Sequence, residues 1–221
     1  MVSRRTRKLF YAAFALPMRI NGHLYRLLRQ PKELLNVHLG CGQRNYIEGW
    51  VNVDANFVSG HIDLWANLLD GLPFRASSVE KFYSFHVIEH LPDSFLARHL
   101  RDLYNALVPG GSIRIGGPDI GRAWLKFVQG EARWFSDFPD KHMSIGGKFT
   151  NLVFCRNEHL TALSESYLTE LTTEAGFVDL HFCKPCQQTV HGFAEVLPFE
   201  REDDFECPHS VILEARKRAR P

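Results

Sequence analysis

The chain has 221 residues, 45% of them apolar and 23% charged, with a formal charge of +1 when histidine is neutral. That is the size and balance of one globular domain with a real core. Near-neutrality gives no global reason to expect nucleic acid as a partner. No apolar run approaches the roughly 20 residues that span a bilayer, and five cysteines, an odd number without a framework pattern, fit a reducing compartment.

Taken in order, residues 1–30 form a separate unit. Arg4, Arg5, Arg7 and Lys8 precede the apolar run Leu9 to Met18, which superficially resembles a signal peptide but lacks a small-residue cleavage site and is interrupted at Arg19. The better reading is a basic amphipathic helix from about Arg4 to Leu28, kinked or broken at Pro17. It either packs on the domain or lies on an anionic membrane surface. A second basic cluster, Arg216, Lys217, Arg218 and Arg220, closes the chain and reads as a solvated terminus.

Residues 31–221 alternate strands with helices. Strands are predicted at Leu34 to Leu39, Val51 to Val53, His61 to Leu64 and Val79 to Phe85. Pro92-Asp93 opens an amphipathic helix to about Leu107, with Phe95, Leu96, Leu100, Leu103 and Leu107 on one face. The turn Val108-Pro109-Gly110-Gly111 leads to a strand over Ser112 to Ile115, then a helix from about Ile120 to Val128. An aromatic, irregular stretch runs from Glu131 to Asn157. A second clear helix, Ser164 to Ala175, ends at Gly176, and Phe177 to Phe182 and Ser210 to Ala215 are the last strands. The pattern is α/β: a doubly wound, mostly parallel sheet of seven strands. In such sheets ligands sit beyond the carboxyl ends of the strands, which gathers Gly40, Asp54, Asn67, His86 and Asp119 around one crevice.

Two segments give that crevice its chemistry. Leu39-Gly40-Cys41-Gly42 lets the backbone turn and approach a ligand that a Cβ would exclude. Val51-Asn52-Val53-Asp54 ends a buried strand on a carboxylate suited to two ribose hydroxyls. The third glycine of the dinucleotide fingerprint is absent, with Gln43 and Arg44 following Gly42. Asp54 comes twelve residues after Gly42 where about 20 are expected. A pyrophosphate-binding helix does not fit, so a phosphate-free adenosine cofactor, S-adenosylmethionine, is favoured over a nicotinamide or flavin. Cys183-Lys184-Pro185-Cys186, even with Cys155, Cys207 and His209, lacks the second pair of a zinc set, so free thiols are expected and no metal.

With these residues placed, the chain resembles the class I S-adenosylmethionine-dependent methyltransferases, and looks closest to the small bacterial branch associated with surface-polysaccharide and glycolipid biosynthesis. The resemblance rests on Leu39-Gly40-Cys41-Gly42; Gly49-Trp50-Val51-Asn52-Val53-Asp54; Leu72-Pro73-Phe74; His86-Val87-Ile88-Glu89-His90-Leu91; and Leu107-Val108-Pro109-Gly110-Gly111, in this order. It implies a Rossmann-like methyltransferase fold. Gly40, Cys41 and Gly42 would pass the methionine part of the cofactor, and Asp54 would hold its ribose. Asn67 and Leu68 would lie by the adenine, and His86 near the sulfonium. His38 stands where many members carry an acidic residue that meets the methionine amine, and Asn67 where an aspartate is frequent.

Methyl transfer is in-line displacement, so positioning dominates and a base is needed only where the acceptor must lose a proton. A sugar hydroxyl requires one. His86, His90, His142, His159, Glu89 and Asp119 are the titratable candidates, with His159 or Asp119 favoured and His86 next. Trp124, Phe127, Trp134, Phe135 and Phe138 form either a hydrophobic plug or a lid over a sugar or lipid-linked acceptor. No basic, base-stacking groove accompanies them, so nucleic acid is not the expected acceptor. The expected function is methylation of a hydroxyl on a glycan or glycolipid precursor, in the cytoplasm or at the inner face of a membrane. Alternatives are another small metabolite, or a catalytically silent scaffold of the same fold.

Overall fold

The computed structural model describes residues 4–43, 45–56, 58 and 60–219, with the side chains of 4–8 left out. The basic side chains of Arg4, Arg5, Arg7 and Lys8, and Arg44 and Arg220, therefore lie outside the described residues. The strands are β1 (Leu35–Leu39), β2 (Val51–Asp54), β3 (Leu64–Trp65), β4 (Val79–Phe85), β5 (Leu107–Pro118), β6 (Phe177–Phe182) and β7 (Ser210–Lys217). The helices are α1 (Arg4–Leu24), α2 (Asp93–Ala106), α3 (Ile120–Val128), α4 (Ile145–Phe154) and α5 (Glu165–Glu174). One sheet has the order β3-β2-β1-β4-β5-β7-β6. Its pairings are parallel from β3 to β5, and β7 runs antiparallel to both of its neighbours.

Strand alternation divides the sheet into two chemically different faces. Val37, Phe82, Ile113 and Ala215 lie in register and bury against Leu96, Leu100 and Leu103 of α2 and Leu168 and Leu171 of α5. Each such side chain contributes roughly 1.5–3 kcal/mol on burial. The opposite face carries a polar row, Asn52, His38, Tyr83, Arg114 and Glu214. It is roofed by Ile47, Trp50, Phe193 and Val196.

Arg114 is fully buried in that row. Its Nε and Nη2 donate to the two oxygens of Glu200 at 2.6 and 2.9 Å, and Nη1 donates to Glu214 at 2.5 Å and to the carbonyl of Gln188 at 2.9 Å. The surplus negative charge is met by backbone donors. Val190 and His191 give their N–H to Glu214, and Cys186 gives its N–H to Glu200.

Several sequence expectations need correction. The third strand lies at Leu64–Trp65 rather than His61 to Leu64, because the Asp63 carboxylate binds the Asn52 backbone N–H and side-chain amide just before the ladder begins. The turn at Val108 to Gly111 is an irregularity inside β5, with Gly110 at φ +82°. The irregular stretch contains α4, capped by Ser144 through the Gly147 N–H. The N-terminal helix runs unbroken through Pro17 to Leu24 and ends in a π-helical turn, Tyr25–Arg29. Its inner face packs on the domain: Met18 is buried, Asn21 Nδ2 donates to the Trp65 carbonyl, and Tyr25 meets Phe74 edge-on. No helix among the described residues is long and apolar enough to cross a membrane.

Two measurements test this account. Arg114→Leu leaves two buried carboxylates without their counter-ion and is expected to cost about 3–5 kcal/mol in urea unfolding. His99 of α2 is fully buried, neither ring nitrogen has a partner among the described residues, and burial lowers its pKa from 6.5 to about 4. The unfolded chain therefore takes up a proton that the folded chain refuses, and stability falls as pH drops from about 6.5 toward 4. His99→Leu should gain up to about 3 kcal/mol on the parent as pH is lowered through that window, and show no such gain between pH 7 and 8.

Candidate functional site

The strand order reverses direction at the boundary between β1 and β4, and the loops leaving their carboxyl ends diverge there. Gly40 leaves β1 at φ +71°, and a Cβ on it would stand 2.3 Å from Val87 Cγ2 at the end of β4. Two independent constraints thus require glycine at that point. Gly42, at φ +60°, has no atom within 4 Å of where a Cβ would stand, which leaves open space beside the backbone. Between β1 and β2 there is no helix among the described residues, in keeping with the short spacing.

Asp54 closes this loop. Its Oδ2 accepts the Gly42 N–H at 2.9 Å and its Oδ1 the Asn56 N–H at 2.8 Å. A carboxylate offers about four acceptor positions, so two remain for a ligand's hydroxyls. Cys41 turns its side chain inward, where it is fully buried and burial pushes the thiol up to about 12. His38 belongs to the buried polar row, with Nδ1 3.2 Å from Asn52 Oδ1 and its ring against Tyr83. Burial lowers its pKa to about 4, so the imidazole is neutral near pH 7.

Asn67 follows β3 and accepts the Leu69 N–H through Oδ1, capping a short 3-10 turn; Leu68 packs into the main core. Asn67 also lines a cavity of about 470 Å³ between this loop and α1, with Met18, Gly22 and Pro73.

The second half of the site gathers on Glu89, whose side chain is 1% exposed. His86, at φ +56° just past β4, places Nδ1 3.1 Å from Glu89 Oε1 and Nε2 3.3 Å from Ser210 Oγ. A carboxylate only accepts, so the His86 proton sits on Nδ1 and its Nε2 carries the electron pair. Burial pushes the Glu89 carboxyl upward, but the His86 hydrogen bond, and the positive charge that His86 and His90 carry when protonated, outweigh it and hold it low. His159 reaches the same place from the end of α4, its ring 5.1 Å from that of His90. Burial lowers the pKa of His159. Asp119 is buried and spends Oδ1 on the Arg122 N–H as the cap of α3. His142 stands exposed ahead of α4.

The aromatic stretch divides. Trp134 and Phe135 are buried with Ala123, Phe127 and Phe149 as a small core, and Trp134 Nε1 donates to the Cys207 carbonyl. Trp124, 54% exposed, and Phe138, 72% exposed, face outward. Sequence reasoning missed two partners of this region. Ser210 meets His86, and the Glu202–His209 pair anchors the loop before β7 at 2.8 Å. A charged residue within an apolar run, as in Ile113-Arg114-Ile115 and Leu213-Glu214-Ala215, is the signal that the segment before β7 is tied to the sheet. Cys183 and Cys186 join none of the clusters of metal-ligating side chains among the described residues.

No protein-family model matches the chain, and no curated protein sequence matches it. Solved structures do. An S-adenosylmethionine-dependent methyltransferase of Thermotoga maritima, described as a possible histamine N-methyltransferase, aligns over 97% of this chain and 95% of its own at 14% identity, with a TM-score of 0.54. A methyltransferase of the same cofactor class from Archaeoglobus fulgidus aligns over 94% and 99% at 17% identity, with a TM-score of 0.52. Phosphoethanolamine N-methyltransferase 2 of Haemonchus contortus, in complex with S-adenosylmethionine, aligns over 92% of this chain and 53% of its own at 12% identity and a TM-score of 0.52. This chain has the Rossmann-like fold of the S-adenosylmethionine-dependent methyltransferases, with an added N-terminal helix.

Proposed function

We propose that this protein transfers a methyl group from S-adenosylmethionine to a hydroxyl of a glycan or glycolipid precursor, at or near a membrane surface. The observation that carries the reading is the turn at the switch point: Gly40 fixed by Val87, Gly42 beside open space, and Asp54 with acceptor capacity to spare. These residues suit the cofactor's methionine and ribose portions. When bound, S-adenosylmethionine supplies an electrophilic methyl group on a sulfonium.

The chain's own residues would do the rest. Asp54 holds the ribose hydroxyls, and the Gly40–Gly42 backbone passes the methionine portion. His86 takes the acceptor proton at Nε2, with Glu89 holding the ring in the right tautomer and stabilising the imidazolium that results. A strained backbone at His86, φ +56°, is the kind of outlier that the surrounding structure must over-determine. Asp119, committed to capping α3, and His159, with Nδ1 held by the Leu152 carbonyl, are less suited to the base role. Exposed Trp124 and Phe138 offer ring faces to a sugar or lipid-linked acceptor.

The outer face of α1 supports the location. Leu16, Ile20, Leu24, Leu27 and Leu28 are exposed at helical spacing and are flanked by Arg19, Arg26 and Arg29. From Arg4 to Arg29 the chain holds no acidic residue. An apolar stripe bordered by basic residues fits an anionic lipid surface.

Calorimetry is expected to show binding of S-adenosylmethionine and its demethylated product. Asp54→Ala should weaken both by about 1.5–3 kcal/mol, the worth of hydrogen bonds to a charged group. Unchanged affinity in the variant removes Asp54 from the site, and no binding by the parent ends the methyltransferase reading. Separately, the full chain should sediment with phosphatidylglycerol vesicles at low salt and be released at high salt. Leu27→Asp with Leu28→Asp, exposed and away from the cavity that α1 shares with Asn67, should abolish sedimentation and leave cofactor binding intact. A parent that stays in the supernatant at low salt refutes the surface contact.

A further inference from the structure

We propose that Glu89, His90 and His159 form a binding site for a divalent first-row transition cation, represented by Zn²⁺. One ligand atom from each of the three lies within 4.8 Å of the other two. The proton positions set the argument. His90 Nδ1 lies 3.0 Å from the Glu158 carbonyl, and His159 Nδ1 lies 2.9 Å from the Leu152 carbonyl. A carbonyl only accepts, so each ring in its neutral form carries its proton on Nδ1 and leaves the electron pair on Nε2. The His90 Nε2 pair then stands 3.8 Å from Glu89 Oε1, electron pair toward anion. Glu89 Oε2 is buried and has no hydrogen-bond partner among the described residues.

With both rings neutral, three electron-rich groups face one another, and a cation would hold them together. The surroundings already do what metal sites require of the second layer. Histidine ligands usually donate their far N–H to a carbonyl or carboxylate, which fixes the ring and raises its basicity. Both rings do so here. Two imidazoles and a carboxylate suit zinc and its neighbours rather than magnesium or calcium. Ligand atoms around tetrahedral zinc, with bonds of about 2.0–2.1 Å, lie roughly 3.4 Å apart. His90 and Glu89 are close to that spacing, and the triad as a whole closes by little more than about 1 Å.

The chain supplies this set in a way that keeps it in place. The Leu160 and Thr161 N–H groups both donate to the Glu89 carbonyl at 2.7 and 3.1 Å, pinning the segment from His159 onward to the turn after β4. Gly117 gives the carboxylate its room, since a Cβ there would stand 2.8 Å from Glu89 Oε2. His90 is half-exposed, which gives a cation an entry path. Three protein ligands leave a position open for water or a hydroxyl, and Glu89 links that position to His86. Cation binding here stands apart from the methyltransferase reading, because it can be measured without cofactor or acceptor.

The test uses full-length protein stripped with chelator and titrated with Co²⁺, whose visible absorption reports its coordination, followed by displacement with Zn²⁺. One equivalent of Co²⁺ should bind, develop d–d bands and leave on addition of Zn²⁺. His159→Ala and His90→Ala should each weaken binding at least about 100-fold, since loss of a supporting residue alone costs 10–100-fold. His181→Ala and His209→Ala, in the two other His-carboxylate clusters, should leave the bands unchanged. Should His159→Ala fail to fold, the half-exposed His90 position decides alone. The proposal is overturned by a parent that takes up no stoichiometric Co²⁺, or by bands that persist in His90→Ala.

Discussion

A guanidinium fully buried between two carboxylates cannot be left partly paired, and much of this fold is arranged around that requirement. Arg114 sits at the middle of the sheet, so its partners must come to it. Glu214 arrives from the adjacent strand. Glu200 arrives from the long connection between β6 and β7, which has little regular structure of its own. The backbone donors at Cys186, Val190 and His191 complete the set and draw the whole segment down over the polar face. Phe193 and Val196 can then roof Trp50 and Tyr83. The same segment delivers Ser210 to His86 and the Glu202–His209 pair to Trp134. One buried ion cluster thus carries its influence to the rim of the site.

The site itself follows from topology. Neighbouring loops part where β1 and β4 lie side by side, and only there can a ligand reach backbone from both. Gly40 and Val87 mark the floor of that opening by their mutual approach. No helix lies between β1 and β2 among the described residues, and the short loop from Gly40 to Trp50 relies on side chains for its shape. Asn52 supplies much of that support. It donates to the Ile47 and Trp50 carbonyls and accepts the Ile47 N–H. Asp54 does the equivalent for Gly42 and Asn56, which makes it both a structural clip and the candidate ribose ligand.

What the sequence makes legible depends on how local the determinants are. β4 and α3 match their predicted bounds, Val79–Phe85 and Ile120–Val128, because apolar periodicity and a capping aspartate decide both within a few residues. α4 is hidden because Gly146 and Gly147 in its first turn lower helix propensity; the Ser144 cap and the packing of Phe149 and Leu152 on Trp134 and Phe135 offset that. The glycine turn, Asp54 and the His86–Glu89–His90 run are visible as motifs. Their hydrogen bonds are not, since these depend on side-chain direction and on partners brought in by the fold, as the Glu158 carbonyl is to His90 and Ser210 is to His86. His38 shows the same limit. Its position beside Gly40 suggests a ligand contact, while strand parity sets its ring in the buried row with Asn52 and Tyr83. Nothing within the motif itself reveals that row.

The N-terminal helix joins two surfaces with opposite demands. Its inner side is specified by Met18, Asn21 and Tyr25, each with a partner on the sheet domain, so the helix is part of the fold and not an appended arm. Among the described residues, Leu16, Ile20 and Leu24 of α1 and Leu27 and Leu28 of the turn after it are exposed, the first three at the mouth of a cavity and the last two in solvent. Between the two sides lies the cavity that α1 shares with Asn67 and Pro73, on the loop expected to border the adenine. α1 therefore also walls a space beside the loop that carries Asn67. The contacts of α1 with the domain run through β3 and the loop behind it, so this wall depends on β3 and its loop, at the opposite edge of the sheet from the segment that the ion cluster around Arg114 draws in.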